Sequence, residues 1–283
     1  MRLNNMEAEV FIPDKIEVSA ALGRTTALCI AAHHDDIEIM AYGAIAECFG
    51  RDDRHFAGVV VTDGDNSPRA GVYADVTNDE MRVIRAKEQK NAARIGRYSA
   101  QFLLAYPSSA VKAAKNRALI DELKQIILTS APDTLYMHNL ADKHDTHVGV
   151  ALYTIAALRE IEPQLRPHRV IAMEVWRTLD WLCDADKVAQ DTSMYPNLAM
   201  ALIGLFDSQI SGGKRYDLAI QGRRLANATF LNSHAVDVLE SASIGLDMTD
   251  FINSDAAPAE FILGHVDRFK EDVAERISRV SRD

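Results

Sequence analysis

Thr26 to Glu38 reads Thr-Ala-Leu-Cys-Ile-Ala-Ala-His-His-Asp-Asp-Ile-Glu. Its first seven residues carry no charge and are mostly apolar, as expected of a strand buried on both faces. Polarity then changes abruptly to two histidines and two aspartates. Four more short runs have the character of the first: Ala57 to Thr62, Phe102 to Ala105, Thr134 to Met137 and Val170 to Val175. Helical stretches lie between them, about Ile39 to Phe49, Asp79 to Ile95, Lys115 to Thr129 and Val148 to Ile161. Strands alternating with helices predict a parallel sheet covered on both faces.

The expected fold class is therefore α/β, a Rossmann-like, mostly parallel sheet with helices on both faces. Beyond about Asp184 the pattern shifts. Tyr195 to Phe206, Asp217 to Glu240 and Ala259 to Val280 read as helices, with Pro163, Pro167, Pro196 and Pro258 marking turns. The expectation is one domain over residues 1–283, with residues about 185–283 as a mainly helical C-terminal cap.

Bulk properties narrow the function. The 283 residues are 48% hydrophobic and 25% charged, ordinary for a globular protein, and the net charge is -10. Such an acidic chain without a Lys/Arg-rich run argues against nucleic acid as a partner. No apolar run reaches the ~20 residues of a membrane helix, and no secretory leader is read at the start. Cys29, Cys48 and Cys183 are odd in number and lack CxxC spacing, which argues against a disulfide framework or a thiolate metal site. The expected setting is cytoplasmic, with no membrane partner; the oligomeric state, a homo-oligomer included, stays open.

The chemistry gathers in two segments. His33-His34-Asp35-Asp36 follows the first buried strand, and ligands of open α/β sheets bind beyond the carboxyl ends of strands. Imidazole and carboxylate together suit zinc, and two adjacent aspartates allow one to bind metal while the other takes a proton from water. The second segment, His138-Asn139-Leu140-Ala141-Asp142-Lys143-His144-Asp145-Thr146-His147, follows the strand ending at Met137 and holds three of the nine histidines. For each loop alone a solvated helix cap is the lesser alternative, since Asp favours helix starts. Together they provide three metal ligands, one base and one spare imidazole.

These two segments resemble the motifs of the LmbE-like, or PIG-L, family of zinc-dependent N-acetylglucosaminyl deacetylases. Ala32-His33-His34-Asp35-Asp36-Ile37-Glu38-Ile39 is similar to the first family motif, with His34 in place of proline. Asp142-Lys143-His144-Asp145-Thr146-His147 keeps the outer Asp and both His of the second, with Asp145-Thr146 in place of Pro-Asp. Val61-Thr62-Asp63-Gly64, Arg85-Ala86-Lys87-Glu88, Phe102 to Pro107 and Asp207-Ser208-Gln209 resemble further family landmarks, so the likeness spans roughly residues 26 to 210. The resemblance implies His33, Asp36 and His147 as metal ligands, Asp35 as general base, and His144 as oxyanion stabiliser or proton donor. It implies Zn2+, another divalent metal being an alternative, and a small-molecule N-acylated substrate, an amino sugar or sugar-containing metabolite, that is deacetylated.

Arg85 is the leading candidate for a substrate contact, because its donors form a fixed fork; a salt bridge with Glu88 is the alternative. Ser108 stands where many sugar deacetylases of the family carry an Asp, which leaves a non-sugar N-acyl substrate open. A non-catalytic metal-binding protein of the same fold is a further alternative. Asp63 and Asn66, in a polar loop, and His234, in the expected late helix, are further substrate-binding candidates. Asp145 is a candidate orienter of a ligand histidine. Trp176 and Trp181 read as packing residues, with stacking on a sugar as the alternative, and Gly212-Gly213-Lys214-Arg215 lacks the spacing of a phosphate-binding loop.

Overall fold

The computed structural model describes residues 3–112 and 116–281. In chain order its elements are β1 (Glu9–Phe11), α1 (Val18–Gly23), β2 (Ala27–Ala31), α2 (Asp36–Met40), α3 (Tyr42–Cys48), β3 (Phe56–Thr62), α4 (Asn78–Ile95), β4 (Ala100–Tyr106), α5 (Ser108–Lys112) and α6 (Arg117–Ser130). There follow β5 (Thr134–His138), α7 (Asp145–Arg159), β6 (Arg169–Met173), β7 (Lys187–Asp191), α8 (Pro196–Gly204), α9 (Asp207–Ile210), α10 (Tyr216–Thr229), β8 (Ala242–Asp247), α11 (Thr249–Ile252) and α12 (Pro258–Val280). The strands form one eight-stranded sheet in the order β1-β4-β3-β2-β5-β6-β8-β7.

The five inner strands from β4 to β6 are parallel, and β1, β8 and β7 add antiparallel edges. This is the expected α/β class. The chain winds outward from β2 through β3 to β4, then returns and continues from β5 to β6 on the other side. The reversal places a topological switch point between β2 and β5, whose register pairs Ile30 with Met137. A crevice opens there because the connections leave in opposite directions, and ligands of such sheets bind in it.

Alternate residues of β2 serve the two faces. Leu28 and Ile30 pack into a core with Leu123 and Ile127 of α6 and Val150 and Ala151 of α7. Cys29 and Ala31 join the opposite core with Ala44 and Ile45 of α3. Leu28 and Ile30 are fully buried, each worth about 1.5–3 kcal/mol relative to exposure.

Three expectations change. The stretch Ile39 to Phe49 is two helices, α2 and α3, broken at Ala41 (φ -114°). The expected start of α6 at Lys115 lies outside the described residues. The expected helix Asp217 to Glu240 ends at Thr229, and Asn232 Oδ1 then accepts the His234 N–H at 3.0 Å, a turn that replaces a helical bond. The region expected as a mainly helical cap also supplies β7 and β8 to the sheet. Among the described residues no helix is long and apolar enough to cross a membrane.

Candidate metal centre and substrate cleft

The two loops at the ends of β2 and β5 meet at the switch point. His33 Nδ1 lies 3.0 Å from His147 Nε2, and Asp36 Oδ2 lies 3.3 Å from each. Three donors bound tetrahedrally at 2.0–2.1 Å have edges of about 3.3 Å. The three atoms thus form one face of a tetrahedron of that size, and the donor set fits zinc. Two other imidazoles, His138 and His144, stand beside this set and could also share an ion with it. His138 Nε2 accepts the Ala32 N–H at 2.8 Å, and His144 Nδ1 accepts the Thr146 N–H at 3.3 Å as the N-cap of α7.

Local structure aims these groups. Asp36 Oδ2 also accepts the His33 N–H at 2.8 Å, which ties the carboxylate to its own loop. His147 Nδ1 faces Asp142 Oδ2 at 3.3 Å, the carboxylate contact that commonly orients a ligating histidine. Asp142 is fixed in turn by the backbone N–H groups of His144 and Trp176. The orienter is therefore Asp142; Asp145 is exposed in the first turn of α7 and does not substitute for it.

The electrostatics call for a cation. Burial opposes the His147 imidazolium, but Asp36 and Asp142 outweigh it and raise His147 to about 9. Burial works to raise Asp36, yet His147, His138 and His33 hold it well below the usual carboxylate range. Burial pushes His33 and His138 down to about 4, favouring their neutral, ligating form.

Asp35 has φ +85°, a conformation few non-glycine residues adopt, which turns its side chain away from that of its neighbour. Burial raises its carboxyl well above the ordinary range, opposed by the Arg85 guanidinium 3.5 Å away. Arg85, on α4, is 4% exposed and also donates to Ser67 Oγ and to the His34 carbonyl. Gly64 (φ +75°) makes room for this wall: a Cβ there meets Arg85 Cδ and His34 Nδ1 at 3.0 Å. Glu88, one turn along α4, accepts from Ser208 N and Oγ at 2.8 and 2.7 Å, so two distant landmarks of the sequence lock together.

A cleft of about 690 Å³ opens over the centre. His33, Asp35, Asp36, His144, Arg85, Ser108 and Asn66 line it. Asp63 does not: it is buried behind the wall, paired with Arg82 at 3.1 Å. His234 does not either, because the chain leaves α10 before it and the residue is exposed on the turn. Trp176, Lys214, Tyr216 and Arg223, none of them a leading substrate-binding candidate from sequence, also line the cleft. Trp176 and Lys214 lie outside helices and strands, and Tyr216 and Arg223 lie on α10, whose helical pattern does not mark them as site residues. Tyr216, Ala219, Ile220 and Arg223 share one face of α10 by helical spacing.

Fold and site together define a doubly wound α/β protein with a His/Asp cluster at its switch point. Residues 28–158 match the family model described as PIG-L: GlcNAc-PI de-N-acetylase, the family whose motifs the two His/Asp segments resemble. N,N'-diacetylchitobiose deacetylase of Pyrococcus horikoshii is similar in fold, with 15% identity, TM-score 0.63, and coverage of 82% of this chain and 86% of that one. GalB, the 4-carboxy-2-hydroxymuconate hydratase of Pseudomonas putida KT2440, is similar at 17% identity, TM-score 0.61, covering 79% and 95%. A zinc-inhibited form of teicoplanin deacetylase Orf2 is similar at 12% identity, TM-score 0.54, covering 78% and 97%. No curated protein matches the chain. The fold is thus shared by deacetylases and by a hydratase.

Proposed function

We propose that the protein hydrolyses an N-acyl amide, most simply an N-acetyl group on an amino sugar or sugar-containing metabolite, with a divalent metal, zinc first, held by His33, Asp36 and His147. One observation carries the reading: three donor atoms 3.0–3.3 Å apart, next to a spare carboxylate and a spare imidazole in one cleft. When bound, such an ion supplies Lewis acidity to an acyl oxygen and to a water.

The remaining chemistry belongs to the chain. Asp35 takes a proton from the attacking water, and its raised carboxyl suits a base working near neutral pH. The water oxygen bonds to the acyl carbon. Burial lowers His144, so its ring is neutral near pH 7; with Nδ1 accepting from Thr146, the ring proton sits on Nε2. That N–H stabilises the oxyanion. The C–N bond then breaks, and the proton held by Asp35 goes to the departing nitrogen, giving a carboxylic acid and an amine. Arg85 holds the Asp35 carboxylate and the His34 carbonyl, and so positions the base.

Ser108 in the lining, in place of an acidic residue, keeps a non-sugar N-acyl substrate as a variant of this reading. A second reaction is favoured by one observation, the cationic residues of the lining: addition of water to an unsaturated carboxylate, as the hydratase relative's name describes. The test is elemental analysis of the wild type and His147→Ala, followed by release of acetate from N-acetylglucosamine conjugates and N-acyl amino acids. Zinc is titrated stoichiometrically, since one similar protein has a zinc-inhibited form. About one metal per wild-type chain, lost in the variant, with acetate released only by the wild type, is expected. Metal without amide cleavage, but with hydration of an unsaturated dicarboxylate, favours the second reaction; no metal in either protein sinks both.

A further inference from the structure

The cleft reverses the charge of the molecule. The chain carries 41 acidic and 31 basic residues, yet Arg85, Lys112, Lys214, Arg215 and Arg223 line the cleft against Asp35 and Asp36. Two of these cations are neutralised locally. Arg85 faces Asp35 at 3.5 Å, and Arg215 makes a two-point contact with Asp217 at 2.9 and 2.7 Å. Lys112, Lys214 and Arg223 have no carboxylate within 4.0 Å among the described residues.

Helix stability accounts for Lys112, in the last turn of α5, but not for Lys214. Lys214 and Arg215 precede the N-terminus of α10, the positive end of its dipole, where cations are disfavoured and anions favoured. Lys214 Nζ lies 4.6 Å from the centre of the Trp176 ring, which screens one side of the ammonium and leaves its donors to the cleft. The Trp176 ring is 6.3 Å from that of His144; the two distances bound the Lys214 ammonium at about 11 Å from the catalytic imidazole.

We propose that the substrate carries an anionic group, a carboxylate or a phosphate, remote from its acyl nitrogen, and that Lys214 and Arg223 receive it at the start of α10 with Lys112 adding to the field. This rests on the deacylase reading and narrows it from N-acyl compounds to acidic ones. A neutral amide places no negative charge opposite these three cations, of which Arg223 already donates to the Val175 carbonyl. An anion one sugar ring away from the amide supplies their missing partner, in a cleft where low-dielectric walls strengthen the attraction.

Lys214 is exposed, so Lys214→Gln removes the charge without disturbing the core. The protein has two tryptophans, and Trp181→Phe leaves Trp176 as the sole emitter beside Lys214. In that background, inorganic phosphate and malonate are titrated separately at constant ionic strength while Trp176 fluorescence is followed. Saturable binding of at least one, weakened about tenfold or more by Lys214→Gln and by Arg223→Gln, is expected, a size typical of hydrogen bonds to charged groups. Which of the two binds separates phosphate from carboxylate. The ratio of kcat/KM between an N-acetylglucosaminide with that anion in its aglycone and the neutral methyl glycoside falls about tenfold in Lys214→Gln. No saturable binding of either anion, or equal binding in all three proteins, overturns the inference. If deacetylation of the neutral glycoside persists in that case, the anion inference alone has failed. If anions bind as stated and no amide is cleaved, the deacylase reading fails while anion recognition stands.

Discussion

Asp35 and Asp36 are neighbours in the chain and opposites in task. Asp36 turns into the imidazoles, whose contacts hold it ionised; Asp35, at φ +85°, turns toward Arg85 and the cleft. Asparagine tolerates positive φ better than alanine does and cannot take a proton. Asp35→Asn is therefore expected to keep its metal and lose about 10²–10⁴ in kcat. Metal content and turnover measured on one preparation check this, and loss of metal would mean the two aspartates have been assigned the wrong way round. Asp142→Asn removes the carboxylate that orients His147, and an about 10–100-fold weaker metal affinity is expected in chelator competition. The change from proline to His34 leaves the Arg85 contact possible, because the backbone carbonyl makes it.

Among elements, α4 matters most to the cleft. Its capping box, Thr77 with Glu80, fixes its start, and Arg85 and Glu88 then lie on its buried face. Glu88 binds Ser208 at the start of α9, whose next residue, Gln209, lines the cleft. Glu88→Ala leaves a buried N–H and a buried hydroxyl without acceptors, at about 1–3 kcal/mol for each. A lower urea midpoint with unchanged metal content is expected, because the proposed ligands His33, Asp36 and His147 follow β2 and β5, away from the α4–α9 contact. A variant as stable as the wild type would mean that the α4–α9 contact contributes little. Both landmark motifs were legible in sequence, but their pairing across 120 residues was not: no local pattern specifies which helix a buried glutamate meets.

At the scale of the molecule, β7 and β8 continue the sheet built by β2 to β6, so the C-terminal region shares its hydrogen bonding with the part that carries the motifs. One cooperative thermal transition is expected, checked by the coincidence of near- and far-UV circular dichroism; two separated transitions would divide the chain. A metal held as proposed would bind the folded chain alone, since His33 and His147 lie 114 residues apart. Saturating zinc should raise the Tm by several degrees, and a chelator should reverse this. An equal rise in His147→Ala would place the metal elsewhere.

What the sequence by itself determined was whatever is local. Apolar runs set the inner strands, because burial on both faces needs uninterrupted apolar residues. The His/Asp motifs at strand ends marked the centre, because open sheets bind ligands there. Tertiary structure alone decided the rest of the site. It placed Asp142, not Asp145, behind His147, and removed Asp63 and His234 from the candidates by burying one behind Arg82 and leaving the other on an exposed turn. It also folded Trp176, Lys214 and Arg223 into the cleft beside the His/Asp cluster. The physical reason is one of range. Periodicity and capping act within a few residues, whereas the cleft is closed by residues distant in sequence whose packing gives no local signal.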